Sequence, residues 1–420
     1  MKQSNLTKEF SLPNSLAIFI FLGTIFGLQI IMLIPLSIGM ATTFFSITFR
    51  AILMAFSLYL ILRGSVSVEK TVFHIGFASL VVFYTIYLVR LIFDLSVRDI
   101  AISPSLKSDF FLYSFAIGGI FLPILASIHL NNQINIKRIN NALFYFSLIQ
   151  SLSIAFIFFI LYGVTLEAIA SRHIIAQSMA ESDIGQPINP IIISKAGGYL
   201  ALISVFFKPQ TRILKLLKYG AMLLGFLLLL LGASRGPLVA LIMSYLLMLI
   251  NFLFYNRKNR RWRKQFVIGV LMIFVSSYFF YSSFKKLEVS LFDRLTINSK
   301  DFNKSLKEEE RFTLWSNAFN QFKSSPVFGD RIVEKGSLYY PHNLFLEVLM
   351  STGLIGFTPF FLSVVFAFKR GWSILVNGYP SIFFLFFFSF IGMFFSGSIF
   401  LSPEFWVTIL IVFTVNIKYL

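Results

Sequence analysis

From Leu217 to Phe254 the chain reads LKYGAMLLGFLLLLLGASRGPLVALIMSYLLMLINFLF. Two apolar runs sit either side of a short turn, GASRGP (Gly232–Pro237). Each run is close to the roughly 20 residues that a helix needs to cross the hydrocarbon of a bilayer. The stretch therefore reads as two consecutive membrane spans. Working outward, the rest of the 420 residues repeats the theme. Charged residues make up only 13% and hydrophobic ones 57%, with 54 phenylalanines and a mean hydropathy of +0.81. Soluble domains are nearer about a quarter charged, so a water-soluble fold of this length has no way to hide so much apolar surface. Spans are expected at 15–36, 40–62, 70–93, 110–130, 142–164, 188–207, 217–234, 236–255, 266–284, 342–368, 379–400 and 403–419. The expected fold is all-α: one polytopic bundle of about 12 transmembrane helices over residues 1–420. The first apolar run follows a short polar leader and is too long for a signal-peptide core, so it reads as a retained span.

A chain this apolar with a formal charge of +18 either binds nucleic acid or uses its cations to mark orientation. Where the charges sit decides. With the N-terminus inside, the inner segments carry 19 Lys and Arg against two acids, Glu9 and Glu69. The outer segments carry 14 of each sign. Arg50, Arg90 and Lys195 against Glu347 and Glu404 lie within spans and supply the last unit. The excess is thus cytoplasmic, the positive-inside pattern, and both termini are expected in the cytoplasm. The run RKNRRWRK (Arg257–Lys264) reads as a topology anchor at the headgroups, and nucleic acid is not an expected partner.

The chain has no cysteine, which removes disulfides, Cys-type zinc sites, iron–sulfur clusters and thiol nucleophiles. Paired carboxylates at glycosidase spacing, HExxH and a P-loop are all missing from the sequence, so neither a metal nor another cofactor is expected. The Gly23/Gly27 pair in the first span suggests a packing contact.

Most outer loops are short; the one at 285–341 is long, and such loops are often functional. Within it LKEEERFTLWSNAFNQFKSSP is helical in pattern. Ser305 and Glu308 fit a capping box, Ser325-Pro326 forms a stop, and Phe312, Trp315, Phe319 and Phe322 make one apolar stripe. The helix either lies on the membrane or packs on the bundle, or it roofs a cavity and aims Arg311 into it.

Three polar features fall at the outer ends of spans. In GASRGP, Pro237 is expected as the first helical residue, and Arg235 stands at a helix N-terminus whose amides and dipole suit a phosphate. An interfacial arginine reaching for headgroups reads equally well. In YYPHNLFLEVLMSTGLIGF (Tyr339–Phe357), Pro341 is expected to start the helix, with His342 and Asn343 in its first turn. The dipole there disfavours an imidazolium, so His342 should be neutral and able to accept a proton. Asn343 and Glu347 share a face, and Glu347 lies about one turn down, where a carboxylate needs a partner or water. In NPIIISKAGGY, Asn189-Pro190 reads as cap and first helical residue, with Lys195 a turn further in as a candidate phosphate or sugar contact. Arg50 and Arg90 read as structural pairs, and His74, His129 and His173 lack a supporting pattern. Cations and helix N-termini gathered at the outer face suit an anionic, lipid-linked substrate.

These residues resemble a known family. The SRG turn (Ser234-Arg235-Gly236), the loop arginine with its aromatic helix and Ser-Pro (Arg311, Trp315, Phe319, Phe322, Ser325-Pro326, Phe328-Gly329) and the pattern HNxxLExxxxxGxxG (His342, Asn343, Leu346, Glu347, Gly353, Gly356) are similar to the shared module of bacterial O-antigen polymerases and O-antigen ligases. The resemblance covers 232–361; the first six spans match in topology alone. It implies a glycosyltransferase of hexosyltransferase type in the bacterial inner membrane, with a periplasmic active site and a periplasmic loop at 285–341. The implied donor is an undecaprenyl-diphosphate-linked oligosaccharide in the membrane lipid, used without metal or nucleotide. His342 would be the base that deprotonates the acceptor hydroxyl, and Arg235 and Arg311 would hold the diphosphate. A chain-length regulator is a further partner that it allows. The SRGP turn, the YPHNLFLE run and an outer surface with no net charge favour a polymerase over a ligase acting on the lipid A core. Protein-directed oligosaccharyltransferases are a third branch. A flippase or transporter, from another class, would place its polar residues near the midplane of broken helices.

Overall fold

The computed structural model describes residues 12–40, 42–63, 75–103, 109–126, 136–161, 190–232, 234–254 and 302–414, with positions 267, 271, 274 and 278. Among these residues the ordered elements are all helical. In chain order they are α1 (12–37), α2 (Thr42–Arg63), α3 (Ile75–Val97), α4 (109–126), α5 (136–161), α6 (Pro190–Phe206), α7 (Arg212–Leu231), α8 (Arg235–Phe254), α9 (Phe302–Ser324), α10 (Leu344–Val376), α11 (Pro380–Ser396) and α12 (Pro403–Thr414). Six are long and apolar enough to cross a bilayer, and five more are shorter apolar helices. This is a polytopic helical membrane protein. Eleven of the twelve expected spans have a described helix. The ninth, 266–284, lies almost wholly outside the described residues, as do the basic run Arg257–Lys264, Asn189, His74, His129 and His173. Val267, Leu271, Phe274 and Tyr278 are helical and exposed.

Lipid is as apolar as leucine, so close packing rather than hydrophobic transfer holds such helices together. The tightest pair is α6 against α7, where Gly197 and Gly225 let the two backbones touch. Gly23 and Gly27 of α1 likewise seat the side chains of Leu53 and Phe49 from α2. The middle of the bundle is aromatic. Phe83 stacks on Trp406 with ring centroids 5.6 Å apart and lies 5.2 Å from Phe360, and Tyr84 meets Trp406 edge-on at 5.5 Å. This ties α3, α10 and α12 together, each contact adding about 0.5–1.5 kcal/mol beyond its buried area. Lys218 of α7 is buried and donates to carbonyls at the C-terminal end of α6, Val205 (3.1 Å) and, one residue past the helix, Phe207 (2.9 Å).

Several helix limits differ from the sequence expectation. α8 begins at Arg235, so Pro237 is its third residue rather than its first. A missing amide hydrogen costs nothing anywhere in the first turn. α9 begins at Phe302, so Ser305 lies inside it instead of ahead of it. α10 begins at Leu344 with Asn343 as its cap; Pro341 and His342 precede the helix instead of opening it.

The largest departure is inside α10. Gly353 has φ +59° and ψ −160°, which breaks it into a short leading helix and a long one. The segment after α9 fills the break. Pro326 O accepts from Leu354 N (2.9 Å), Val327 O from Ile355 N (3.1 Å), and Asp330 N donates to Met350 O (2.9 Å). Gly329, at φ +71°, crosses Gly353 so closely that a Cβ on either would overlap the other's backbone neighbours.

This crossing gives a stability prediction. Gly353→Ala combines a left-handed residue with a backbone clash, each worth about 1–3 kcal/mol. It should lower the unfolding midpoint of the purified protein in detergent by several degrees. Gly220→Ala, whose Cβ enters open space on α7, should leave the midpoint unchanged or slightly raised.

Candidate active site

The ends of α3, α6, α8, α10, α11 and α12 that the charge pattern assigns to the outer side meet at one end of the bundle, where α9 packs on α10. Short links join the candidate residues there. Ser234 N donates to Ser194 Oγ (3.2 Å), which places the Arg235 turn beside Lys195. Gly236 packs on Phe395 of α11, and the Asn343 side chain donates to the carbonyl of the neighbouring Phe394 (3.4 Å). The start of α8 and the His342 turn are therefore held against consecutive residues of α11. Arg311 lies on the face of α9 that also carries Trp315, Ala318 and Phe322, and Ala318 is buried. Its charge acts on both Tyr340 and His342.

His342 is positioned from four sides. Its backbone is left-handed, φ +57°, which histidine tolerates better than most residues. On the N-terminal side, the Pro341 carbonyl accepts from Trp315 Nε1 of α9 (2.9 Å). On the other, Asn343 Oδ1 caps α10 by accepting from Phe345 N (3.0 Å) and Leu346 N (3.2 Å). The imidazole packs against Tyr340 (4.6 Å between centroids) and Tyr339 (5.5 Å). Burial first, and the charge of Arg311 second, push its pKa down to about 4. The ring is neutral at ordinary pH, as the sequence reading expects, but desolvation and a cation are the causes, since His342 lies outside the helix.

Glu347 is fully buried and fastens the loop between α11 and α12, accepting from Ser398 Oγ (3.2 Å) and Ile399 N (3.2 Å). Lys195 is ion-paired with Glu404, the second residue of α12. Arg235 is exposed at its helix N-terminus. Arg90 is structural, as expected. It donates to the carbonyls of Phe328, Gly329 (3.0 Å) and Asp330 (3.2 Å) and lies 3.6 Å from Asp94. Asp94 is fully buried, bridges to Arg98 (3.2 Å) and accepts from Ile332 N (2.8 Å). Arg50 instead lies over the Phe115 ring, 3.7 Å from its centroid, and donates to Ser46 O. Glu334 stiffens the same loop. Burial opposes its charge, but the amides of Gly336 (2.8 Å) and Ser337 (2.6 Å) outweigh burial and hold its pKa below the usual range.

Sequence reasoning missed the aromatic cradle of Tyr339 and Tyr340, the Trp315 bond and the 398–399 partners of Glu347. The two tyrosines abut the histidine motif, which was a usable signal. The loop partners are some fifty residues away in sequence and gave none.

The fold defines a multi-pass helical membrane protein, and this end of the bundle brings together the candidate residues around one histidine. Residues 220–361 match the family model described as O-antigen ligase. The match spans about a third of the chain, and over that module the chain is similar to that family. No curated protein matches the chain.

The histidine environment has a measurable consequence. In ring-labelled protein His342 should titrate near pH 4, not near its ordinary 6.5. Arg311→Ala should raise that value. A lowered pKa means the fold favours the neutral ring, so its contribution to stability is full above 6.5 and is lost as pH falls toward 4. Histidine NMR across this window checks both statements.

Proposed function

We propose that this protein is an O-antigen, or surface polysaccharide, polymerase of the bacterial inner membrane. It joins undecaprenyl-diphosphate-linked repeat units at the periplasmic face by metal-independent glycosyl transfer. What carries the reading is that, within the matched module, the charge of Arg311 on α9 acts on a neutral His342, while the turn at Arg235 and the His342 turn are held to consecutive residues of α11. The acceptor hydroxyl gives its proton to the unprotonated nitrogen of His342 as its oxygen bonds the anomeric carbon of the donor. The anomeric C–O bond to phosphate breaks, and its electron pair leaves with undecaprenyl diphosphate. Arg235, at the start of α8, and Arg311 hold that leaving group and neutralise its charge. Lys195, seated by Glu404, is a third cation for the donor. Asn343 and Glu347 support the site by capping α10 and holding the 398–399 loop. The leaving group is already activated, so positioning, one base and charge neutralisation suffice. A chain-length regulator protein is a candidate partner.

A second reading is an O-antigen ligase that transfers finished glycan to the lipid A core, favoured by the description of the matching family. The SRGP turn, the YPHNLFLE run and the balanced outer charge favour the polymerase.

With purified protein and a synthetic lipid-diphosphate repeat unit, chain growth and release of undecaprenyl diphosphate are expected together. His342→Ala and Arg235→Ala should abolish both while the protein still folds and inserts; loss of a general base alone costs about 10²–10⁴-fold. Full turnover by His342→Ala would sink the mechanism. Growth with no lipid A acceptor present separates polymerase from ligase.

A further inference from the structure

The exposed flank of the α9 segment, beside the face that carries Trp315 and Phe322, is unexpectedly apolar. Phe312 (65% exposed) and Phe319 (42%) lie on one face of α9, and Phe328 (67%) and Val327 (49%) crown the turn after it. In a segment surrounded by water this would be a liability. The position of the turn gives it a different meaning. The Pro326 and Val327 carbonyls accept from Leu354 and Ile355, which start the long part of α10 and are themselves exposed. The Phe328 carbonyl accepts from Arg90, which lies on α3 between the exposed Val89 and Phe93. The outward surfaces of α3 and α10 belong to spans of a membrane protein and face lipid. The exposed apolar surface thus runs from these two spans onto the turn. Lys323, 4.7 Å from the Phe319 ring centroid, puts a cation at the edge of the face. Aromatic rings backed by a cation are what the headgroup layer accommodates.

We infer that Val327 and Phe328, with Phe312 and Phe319, form a lipid-seated anchor that beds α9 in the outer-leaflet interface of the membrane the chain spans. The occupant is the bilayer surface itself. A helix so seated sinks its apolar face about 5–10 Å into the headgroup boundary. The inference rests on the placement of the segment, not on the chemistry proposed for the site.

The absence of native cysteine makes the test clean, because any thiol introduced is the sole labelling point. Phe328→Cys, Phe312→Cys and Phe319→Cys would each carry an environment-sensitive fluorophore in nanodiscs of phosphatidylcholine and phosphatidylglycerol. Val327→Cys stands in for Phe328→Cys if that variant folds poorly. Leu354→Cys serves as the lipid-facing reference, and Thr313→Cys as a reference beside Phe312 but a quarter-turn round the helix. Quenching by spin-labelled lipid should be several-fold greater than quenching by aqueous iodide at 312, 319, 328 and 354, with the order reversed at 313. Stronger iodide than lipid quenching at 312 and 328 would overturn the anchor. So would protection from both quenchers, which would mean a protein covers the face. If that protection vanished with one chain per disc, the cover would be a second copy.

Discussion

A helix broken inside a membrane protein leaves amides and carbonyls that must find partners, because hydrocarbon offers none. The break at Gly353 is the constraint on which the loop end of this protein depends. Its freed groups are taken up by Pro326, Val327 and Asp330, and the two backbones can approach that closely only because both crossing residues are glycine. The crossing fixes the turn after α9 to the core of the bundle. Arg90 then binds three successive carbonyls of that turn, and buried Asp94 ties its continuation to α3. From this base α9 is held at a height and angle that let Trp315 reach the Pro341 carbonyl. The position of the histidine is thus a consequence of where the helix breaks.

The same geometry explains which parts of the fold could be read from the sequence. Spans declare themselves by length and apolarity, and eleven of the expected twelve have a described helix. Helix ends were less legible. The span expected from 217 begins as a helix at Arg212, because the long side chains of Arg212 and Lys215 can reach out from a helix, and Lys218 caps a neighbour. Ser305 and Glu308 formed a plausible capping box, but the helix continued three residues further back. The break in α10 was hidden because Gly353 stands in an unbroken apolar run and its cause lies in Gly329, 24 residues earlier.

The candidate site shows the same division. His342, Arg235, Asn343 and Glu347 could be picked out because polar groups at the ends of apolar runs need a reason. Their partners could not be, since pairing across a bundle leaves no local trace. Lys195 illustrates this: its sequence context offers an unattended cation, whereas the fold supplies Glu404 from more than two hundred residues away. Asp94 and Arg98 carry no motif in the sequence, yet with Arg90 they hold the loop in place.

One tension in the site is informative. A general base works best with a pKa near the operating pH, and His342 at about 4 is a weak base in the unliganded protein. Two causes lower it, burial and the nearby Arg311 charge, and they respond differently to a bound substrate. Burial persists or deepens when the site fills. The arginine's field does not, because a diphosphate docked on Arg311 opposes it, and an anion beside an imidazole favours the protonated form. Under the proposed function the residue that suppresses the base in the empty site is therefore the one the donor neutralises. His342 would gain proton affinity as the leaving group arrives, so the strength of the base would be coupled to occupancy without any movement of the backbone. In the empty site the ring stays neutral at ordinary pH, and no buried imidazolium has to be accommodated beside Arg311.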